Sequence, residues 1–319
     1  MTLVGGVAWS KVIKVGTRGS GLALRQTEEV LGGLRGLYPA LDFQVVTVRT
    51  HGDANPDAPL AAMGLGVFVK EIERLLLDQE LDMAVHSLKD MPTELPEGLA
   101  LGAMLCRQDP RDVLVNRWHC PLAGLPDGAR IGTSSPRRRA LLKSLCPQAA
   151  VLPIRGNVET RLRKAQGQEY DGAVLAAAGL VRLELTGHIA AYLSPQRFVP
   201  PPGQGVLAVE VRADDERMME LLRPVDHAPT RLAATAERAF LEVLGGGCQL
   251  PAGAYARASA ETLLLTVFLS SPDGRQMVRA KVEGPAHDPL RLANDAYRAV
   301  VEKGGGKLLE VQRSEVTPG

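Results

Sequence analysis

The hydrophobic pattern of the chain switches repeatedly between short strand-like runs and longer helical segments. Lys11–Thr17 and the DFQVVTVRT run at Asp42–Thr50 predict strands, with a helix over about Gly21–Leu37 between them. A second helix is expected over Phe68–Asp78, then a buried strand at Asp82–His86 that ends in a turn at Lys89–Pro92. The intervening His51–Gly66 is rich in Gly, Pro and Ala and reads as a mobile loop.

A second block starts near Asp112. Its strand RIGTS (Arg130–Ser134) runs into a helix with Ser135 as N-cap and Pro136 at the first helical position. The strand AVLPI (Ala150–Ile154) leads to a helix capped by Asn157, with Val158, Leu162 and Ala165 at helical spacing. DGAVLAAAG (Asp171–Gly179) predicts another buried strand. Such alternation of strands and helices implies an α/β fold with mainly parallel sheet. FVPPPGQG (Phe198–Gly205) is the strongest punctuation, and the strand VLAVEVR (Val206–Arg212) after it is expected to return to the first sheet. A third block, from near Asp226, opens with a helix carrying Leu232, Ala236, Phe240 and Val243 on one stripe. After Gly245-Gly246-Gly247-Cys248, segments such as TLLLTVFLS predict a small antiparallel sheet, covered by a last helix around Asp288–Glu302.

Composition narrows the class. The chain has 319 residues, enough for two or three domains, with 45% hydrophobic and 23% charged residues. No apolar run approaches the roughly 20 residues of a membrane span. The N-terminal segment lacks the pattern of a secretory signal. Cys106, Cys120, Cys146 and Cys248 form no C-x-x-C pair, which argues against structural zinc and a disulfide framework. A reducing cytoplasm is the expected setting. Net charge is +1, so bulk electrostatics draws the chain to neither nucleic acid nor membrane. Arginine nevertheless dominates, at 28 of the 37 basic residues, and several arginines fall at helix starts and strand ends.

Those positions carry the candidate chemistry. Arg137, Arg138 and Arg139 follow Thr133-Ser134-Ser135 at one strand-to-helix turn, and Arg155 and Arg161 flank the next. Helix N-termini offer free N–H groups and partial positive charge, and arginine pairs two oxygens at once. Two such turns at the carboxyl ends of parallel strands make a floor for a polyanion; the plainer alternative is a solvated helix face. GTRGSG (Gly16–Gly21) puts Arg18 and Ser20 at a third such turn, without dinucleotide-fingerprint spacing. Lys89 and Asp90 sit where a buried strand meets a Pro-bearing turn. There Asp90 serves as an acid or base, as a fixed charge facing a cation, or merely as a surface residue. Cys248, after three glycines, is a nucleophile, an attachment point, or a small loop residue.

In order, the segments TRGSGLALRQT, GVFVKEIE, AVHSLKDMPTELP, IGTSSPRRRA, RGNVETRL, LAAAGLVRL, PPGQGVLAVEVR and ERAFLEVLGGGCQLP resemble the porphobilinogen deaminase family over nearly the whole chain. The resemblance implies stepwise head-to-tail condensation of four porphobilinogen molecules, with release of ammonia, to hydroxymethylbilane. The chain grows on a dipyrromethane cofactor held by a thioether, which the match places on Cys248. Asp90 matches the catalytic carboxylate, stabilising cationic pyrrole species. Lys89, Thr133, Ser134, Ser135, Arg137, Arg138, Arg155 and Gly156 match cofactor-binding positions. Arg18, Ser20, Phe68, Arg155, Arg161, Arg182, Gln204 and Gly205 match substrate-binding positions. The implied fold is two type II periplasmic-binding-protein-like α/β domains, with the site between them, plus a smaller C-terminal α+β domain. The expected limits are 1–105 with 204–224, then 106–203, then 225–319. A monomer acting on a small molecule, without nucleic acid, membrane or metal, is expected. Gly64-Leu65-Gly66 departs from the family's usual G-K-G, and Pro136 and Arg139 also differ. The rival reading is a cytoplasmic dicarboxylate-binding protein of the same two-lobed fold, which leaves Cys248 idle. A regulatory ligand-binding domain is weaker still, because no helix-turn-helix segment precedes the first strand.

Overall fold

The computed structural model describes residues 2–4, 7–9, 12–49, 69–245 and 250–310. The predicted loop His51–Gly66, Phe68 and Cys248 lie outside the described residues. The chain divides into two compact units, Met1–Gln108 with Val206–Arg231, and Asp109–Gly205 with Leu232–Gly319.

In the first unit a short hairpin, β1 (Thr2–Val4) and β2 (Val7–Trp9), precedes β3 (Ile13–Arg18), α1 (Gly21–Leu37) and β4 (Phe43–Val48). α2 (Lys70–Leu77), β5 (Met83–Ser87) and β6 (Leu99–Met104) follow. The strand after FVPPPGQG, which we number β12 (Leu207–Arg212), returns here, and α6 (Glu216–Leu222) packs beside it. Sheet order is β4-β3-β5-β12-β6. β3 is parallel to β4 and β5, whereas β12 is antiparallel to both β5 and β6. Val30, Leu31 and Leu34 of α1 are fully buried against Ile13, Val15, Met83, Leu207 and Val209. Each such side chain is worth about 1.5–3 kcal/mol of burial, which is what holds helix to sheet.

The second unit repeats the topology. It contains β7 (Asp112–Asn116), β8 (Arg130–Gly132), α3 (Pro136–Leu145), β9 (Ala150–Leu152), α4 (Val158–Ala165), β10 (Gly172–Ala176), α5 (Ala177–Arg182) and β11 (Ala191–Leu193). Sheet order is β11-β7-β10-β8-β9, with β8 parallel to β9 and β10, and β7 antiparallel to β10 and β11. In each sheet, then, four strands run together and one runs against them, which qualifies the expected parallel pattern. The odd strand has no crossover helix of its own, so nothing forces it into the common direction. The segment Asp171–Gly179 is strand only to Ala176. Its alanines then begin α5, because a short apolar run does not by its period distinguish strand from helix.

The same unit carries α7 (Ala228–Val243) from Leu232 onward, the antiparallel meander β13 (Ala252–Ala258), β14 (Thr262–Ser270) and β15 (Met277–Pro285), and α8 (Pro289–Val300). The stripe on α7 is rotated slightly from expectation. Ala233, Ala236, Phe240 and Leu244 are buried, while Leu232 and Val243 are half-buried. The four buried residues share a core with Leu263, Leu265 and Val267 of β14 and Leu292 and Ala296 of α8. Phe268, on the other face of β14, belongs instead to the core of the β7–β11 sheet, with Phe198 and Val199. A Cβ on Gly253 would stand 2.8–2.9 Å from the Pro200 and Val199 carbonyls, so β13 lies tight against the FVPPPGQG loop.

Candidate functional site

Because β3 and β5 are parallel neighbours, their carboxyl ends and the start of α1 meet at one rim of the first unit. β3 ends at Arg18. Ser20 caps α1, its Oγ accepting the Ala23 N–H at 3.2 Å. β5 ends at Ser87, whose Oγ accepts Gln26 Nε2 at 2.8 Å and so ties α1 to that strand end. A single 3₁₀ turn, Leu88–Asp90, follows. Leu88 is buried and donates its N–H to the Val206 carbonyl at 3.0 Å, while Met91 N–H closes back on the Leu88 carbonyl. With its apolar member pinned inward, the turn leaves Lys89 half-buried and Asp90 exposed. Arg18, Ser20, Lys89 and Asp90 are thus brought to one rim.

Behind this turn lies a buried ionisable cluster that the sequence did not signal. His86 of β5, Glu210 of β12 and Glu73 of α2 are all at most 5% exposed. His86 Nε2 stands 2.9 Å from Glu210 Oε2, a close contact without hydrogen-bond alignment. Burial first, and the Glu210 charge second, push the Glu73 carboxyl up to about 7, with His86 and Lys70 pulling the other way.

In the second unit the carboxyl ends of β8, β9 and β10 form a comparable rim. After β8, Thr133 Oγ1 accepts the Ser135 N–H at 3.2 Å, and Ser135 Oγ caps α3 by accepting the Arg138 N–H at 3.3 Å. Ser134 Oγ reaches the turn after β9, donating to the Ile154 carbonyl and accepting the Ile154 N–H. Arg155, half-buried, comes next. Gly156 has φ +113°, and a Cβ there would lie 2.5 Å from Thr160 Cγ2, so only glycine fits. Asn157 Oδ1 caps α4 through the Thr160 N–H at 2.8 Å, and Arg161 Nε folds back on the Gly156 carbonyl at 2.7 Å. Arg182, ending α5, donates to the Gly205 carbonyl at 3.3 Å.

Arg137 and Arg138 do not lie on a solvated helix face. Both turn inward to Asp112, which begins β7 opposite Ala176, the last residue of β10, and is fully buried. Asp112 Oδ2 accepts Arg137 Nη2 at 2.7 Å, and Oδ1 accepts Arg138 Nε at 3.0 Å and Nη2 at 2.7 Å. Gln204 Nε2 donates to the same Oδ1 at 3.1 Å and to the Pro110 carbonyl at 2.7 Å. The arginines also donate to the carbonyls of Val199 and Val174. Burial alone would raise the Asp112 carboxyl, but the two guanidiniums overrule it and hold it at about 2. Burial likewise draws Arg137 down to about 10, against the pull of Asp112. The sequence reading missed Asp112; its signal was that two arginines on the inner side of a helix need a buried counter-ion. It also missed Glu237 of α7, fully buried, whose carboxylate accepts the N–H groups of Gly203 at 2.8 Å and Ala256 at 2.7 Å.

Among the described cysteines, Cys106 is exposed, Cys120 half-buried and Cys146 buried, where burial pushes its thiol up. No group of three or more His, Cys, Asp or Glu among the described residues is placed to hold a metal ion. The donor set suits a ligand bearing several carboxylates: two arginines sharing one carboxylate retain a net positive charge, beside hydroxyls and the starts of α3 and α4.

Two five-stranded α/β units of this shared topology, each with basic and hydroxyl-bearing turns at its carboxyl rim, together with a small α+β segment, define the class: a mixed α/β protein built on a duplicated sheet. Residues 13–220 match the family model described as porphobilinogen deaminase, dipyromethane cofactor binding domain, and residues 231–298 that of the porphobilinogen deaminase C-terminal domain. The porphobilinogen deaminase of Brevibacillus brevis is 47% identical over 298 residues, 93% of this chain and 96% of that one. That of Thermus thermophilus is 46% identical over 300 residues, 94% and 98% of the two chains. Among solved structures, the methionine binding protein MetQ is 15% identical with a TM-score of 0.39, over 74% of this chain and 96% of that one. The chain belongs to the porphobilinogen deaminase family.

Proposed function

We propose that this protein condenses four porphobilinogen molecules head to tail, releasing ammonia, to give the linear tetrapyrrole hydroxymethylbilane. The observation that carries the reading is the gathering of family-matched residues at two strand rims, Arg18, Ser20, Lys89 and Asp90 on one and Thr133, Ser134, Ser135, Arg155 and Gly156 on the other.

The substrate is a pyrrole with acetate, propionate and aminomethyl groups, and its chemistry sets the roles. Ammonia leaves more readily as positive charge on the pyrrole is stabilised. An exposed carboxylate on a pinned turn, Asp90, suits that task and suits proton transfer at its Oδ atoms. Lys89 neutralises a neighbouring substrate carboxylate. Arg18, Ser20, Arg155, Arg161, Arg182, Gln204 and Gly205 bind the acetate and propionate groups, with Phe68 flanking them. Arg137, Arg138, Thr133, Ser134, Ser135, Lys89, Arg155 and Gly156 hold a dipyrromethane attached to Cys248. When bound, that group supplies the pyrrole end to which the first unit is joined. The division into 1–105 with 204–224, 106–203 and 225–319 is the functional one on this reading, with Asp90, the arginine-rich turns and Cys248 on separate parts. We place the enzyme in the cytoplasm as a monomer acting on a small molecule, without nucleic acid. No helix of the described residues is long and apolar enough to cross a membrane.

Incubating the purified protein with porphobilinogen tests this. The expected result is one ammonia per porphobilinogen consumed and a linear tetrapyrrole as product. Saturable binding of porphobilinogen without ammonia release would contradict it.

A further inference from the structure

We infer that Asp112 is a positioning residue for the reaction: its buried carboxylate aims Arg137 and Arg138 and leaves their site with a single uncompensated positive charge for a ligand carboxylate. The inference rests on the proposed role of these arginines in holding the dipyrromethane, and it deepens that reading by one residue that touches no ligand itself.

Strand register sets the geometry. β7 runs against β10, so its first residue, Asp112, is delivered to the carboxyl rim, where α3 starts. Both arginines lie within the first turn of α3, and both are nearly closed off from water, with side chains 5% and 9% exposed. Two guanidiniums side by side in such a place repel each other and bear a desolvation cost. Asp112 meets both at 2.7 Å, one on each oxygen. The division of labour is unequal. Oδ1 takes Arg138 twice and Gln204 once, whereas Oδ2 takes Arg137 alone. Charge and aim are therefore set together, before any ligand arrives, which lowers the ordering cost of binding one.

This predicts an order of variants that packing does not. In Asp112→Asn the shape is kept, but an amide N–H replaces one carboxylate oxygen and points a donor at an arginine donor. In Asp112→Glu the charge is kept, while a methylene is forced into a closed site. If Asp112 only fills space, Asn is the milder change. If it aims the arginines by charge, Glu is milder for ligand holding. The control is Asp171→Asn, which breaks the Arg130–Asp171 pair at the opposite, amino-terminal ends of β8 and β10.

The experiment measures, by intact-protein mass, the fraction of each purified variant that carries covalent dipyrromethane, alongside its thermal midpoint. The expected result is a loaded fraction at least about tenfold below wild type for Asp112→Asn, as for loss of one charge-assisted contact. Asp112→Glu should load better than Asp112→Asn, and Asp171→Asn should load like wild type even where its midpoint falls. Loading of Asp112→Asn equal to wild type, or equal loss in Asp171→Asn at a similar midpoint, would overturn the inference. Should Asp112→Asn not fold, the comparison of Asp112→Glu with Asp171→Asn decides it: because Asp112→Glu keeps the charge, it should load within a few-fold of the control, and loading at least about tenfold below the control at a matched midpoint would also overturn the inference. Wild-type protein without covalent dipyrromethane would instead strike at the proposed function itself.

Discussion

Ser134 holds both backbone groups of Ile154: its Oγ donates to the Ile154 carbonyl at 2.8 Å and accepts the Ile154 N–H at 3.1 Å. One hydroxyl thereby joins the turn after β8 to the turn after β9, and those turns carry Ser135 and Arg155. Ser134→Ala leaves two part-buried backbone groups without this partner. Each lost hydrogen bond costs about 1 kcal/mol, so the variant should unfold about 1–2 kcal/mol more easily. It should also need more porphobilinogen for half-maximal rate, because the two turns no longer share a fixed spacing. Denaturant unfolding and steady-state kinetics check the two parts separately.

A second prediction concerns Gly156. Its positive φ leaves no room for a side chain, since an added Cβ would stand 2.5 Å from Thr160 Cγ2. Gly156→Ala should destabilise by about 1–3 kcal/mol, the usual cost of backbone held in a sparsely populated region. Gly187→Ala, with nothing within 4 Å of its added methyl, should not. Thermal unfolding of the pair checks this.

What was legible in the sequence was local. Ser135 and Asn157 as caps, Pro136 at the first helical position, the strand end at Arg18 and the turn bearing Lys89 all follow from residues within one turn of each other. What was not legible depended on register between distant strands. Nothing near Asp112 announces that it will face Arg137 and Arg138, since that requires β7 to run against β10. The cluster of His86, Glu210 and Glu73 likewise assembles from two strands and a helix. Polar residues at inward positions read as exposed until their partners are known. The motif match found the arginines, but their burial emerges only once the sheet is built.

The Glu73 cluster predicts a pH dependence of stability. In the folded protein the Glu73 carboxyl titrates at about 7, against 4.5 as its unperturbed value. The folded state therefore favours the protonated form, and stability conferred by that proton is fully present below about pH 4.5. It is lost progressively as pH rises toward 7. Glu73→Gln, which mimics the neutral acid, should be as stable as wild type near pH 4.5. Near pH 8 it should be more stable by about 1–3 kcal/mol. Denaturant unfolding at both values checks the sign.

Asp90 is exposed on a turn held by Leu88, so its charge contributes little to the fold. Asp90→Asn should keep the wild-type melting temperature and lose about 10²–10³ in turnover, the usual cost of one preorganised electrostatic contact. Arg223→Leu, on a side chain 75% exposed and paired only at the surface with Glu220, should change neither. Turnover with porphobilinogen and a thermal melt of both variants check this.

If tetrapyrrole assembly proceeds on a cofactor anchored to Cys248, the mass of the intact enzyme reveals it. Purified wild-type protein should be heavier than its sequence by two linked pyrrole units. Brief exposure to porphobilinogen should add further single-unit increments, and proteolysis should place all the added mass on the peptide containing Cys248. Cys248→Ala should show the bare mass and little activity. Added mass on a peptide containing Cys106, Cys120 or Cys146, or active enzyme of bare sequence mass, would contradict the account.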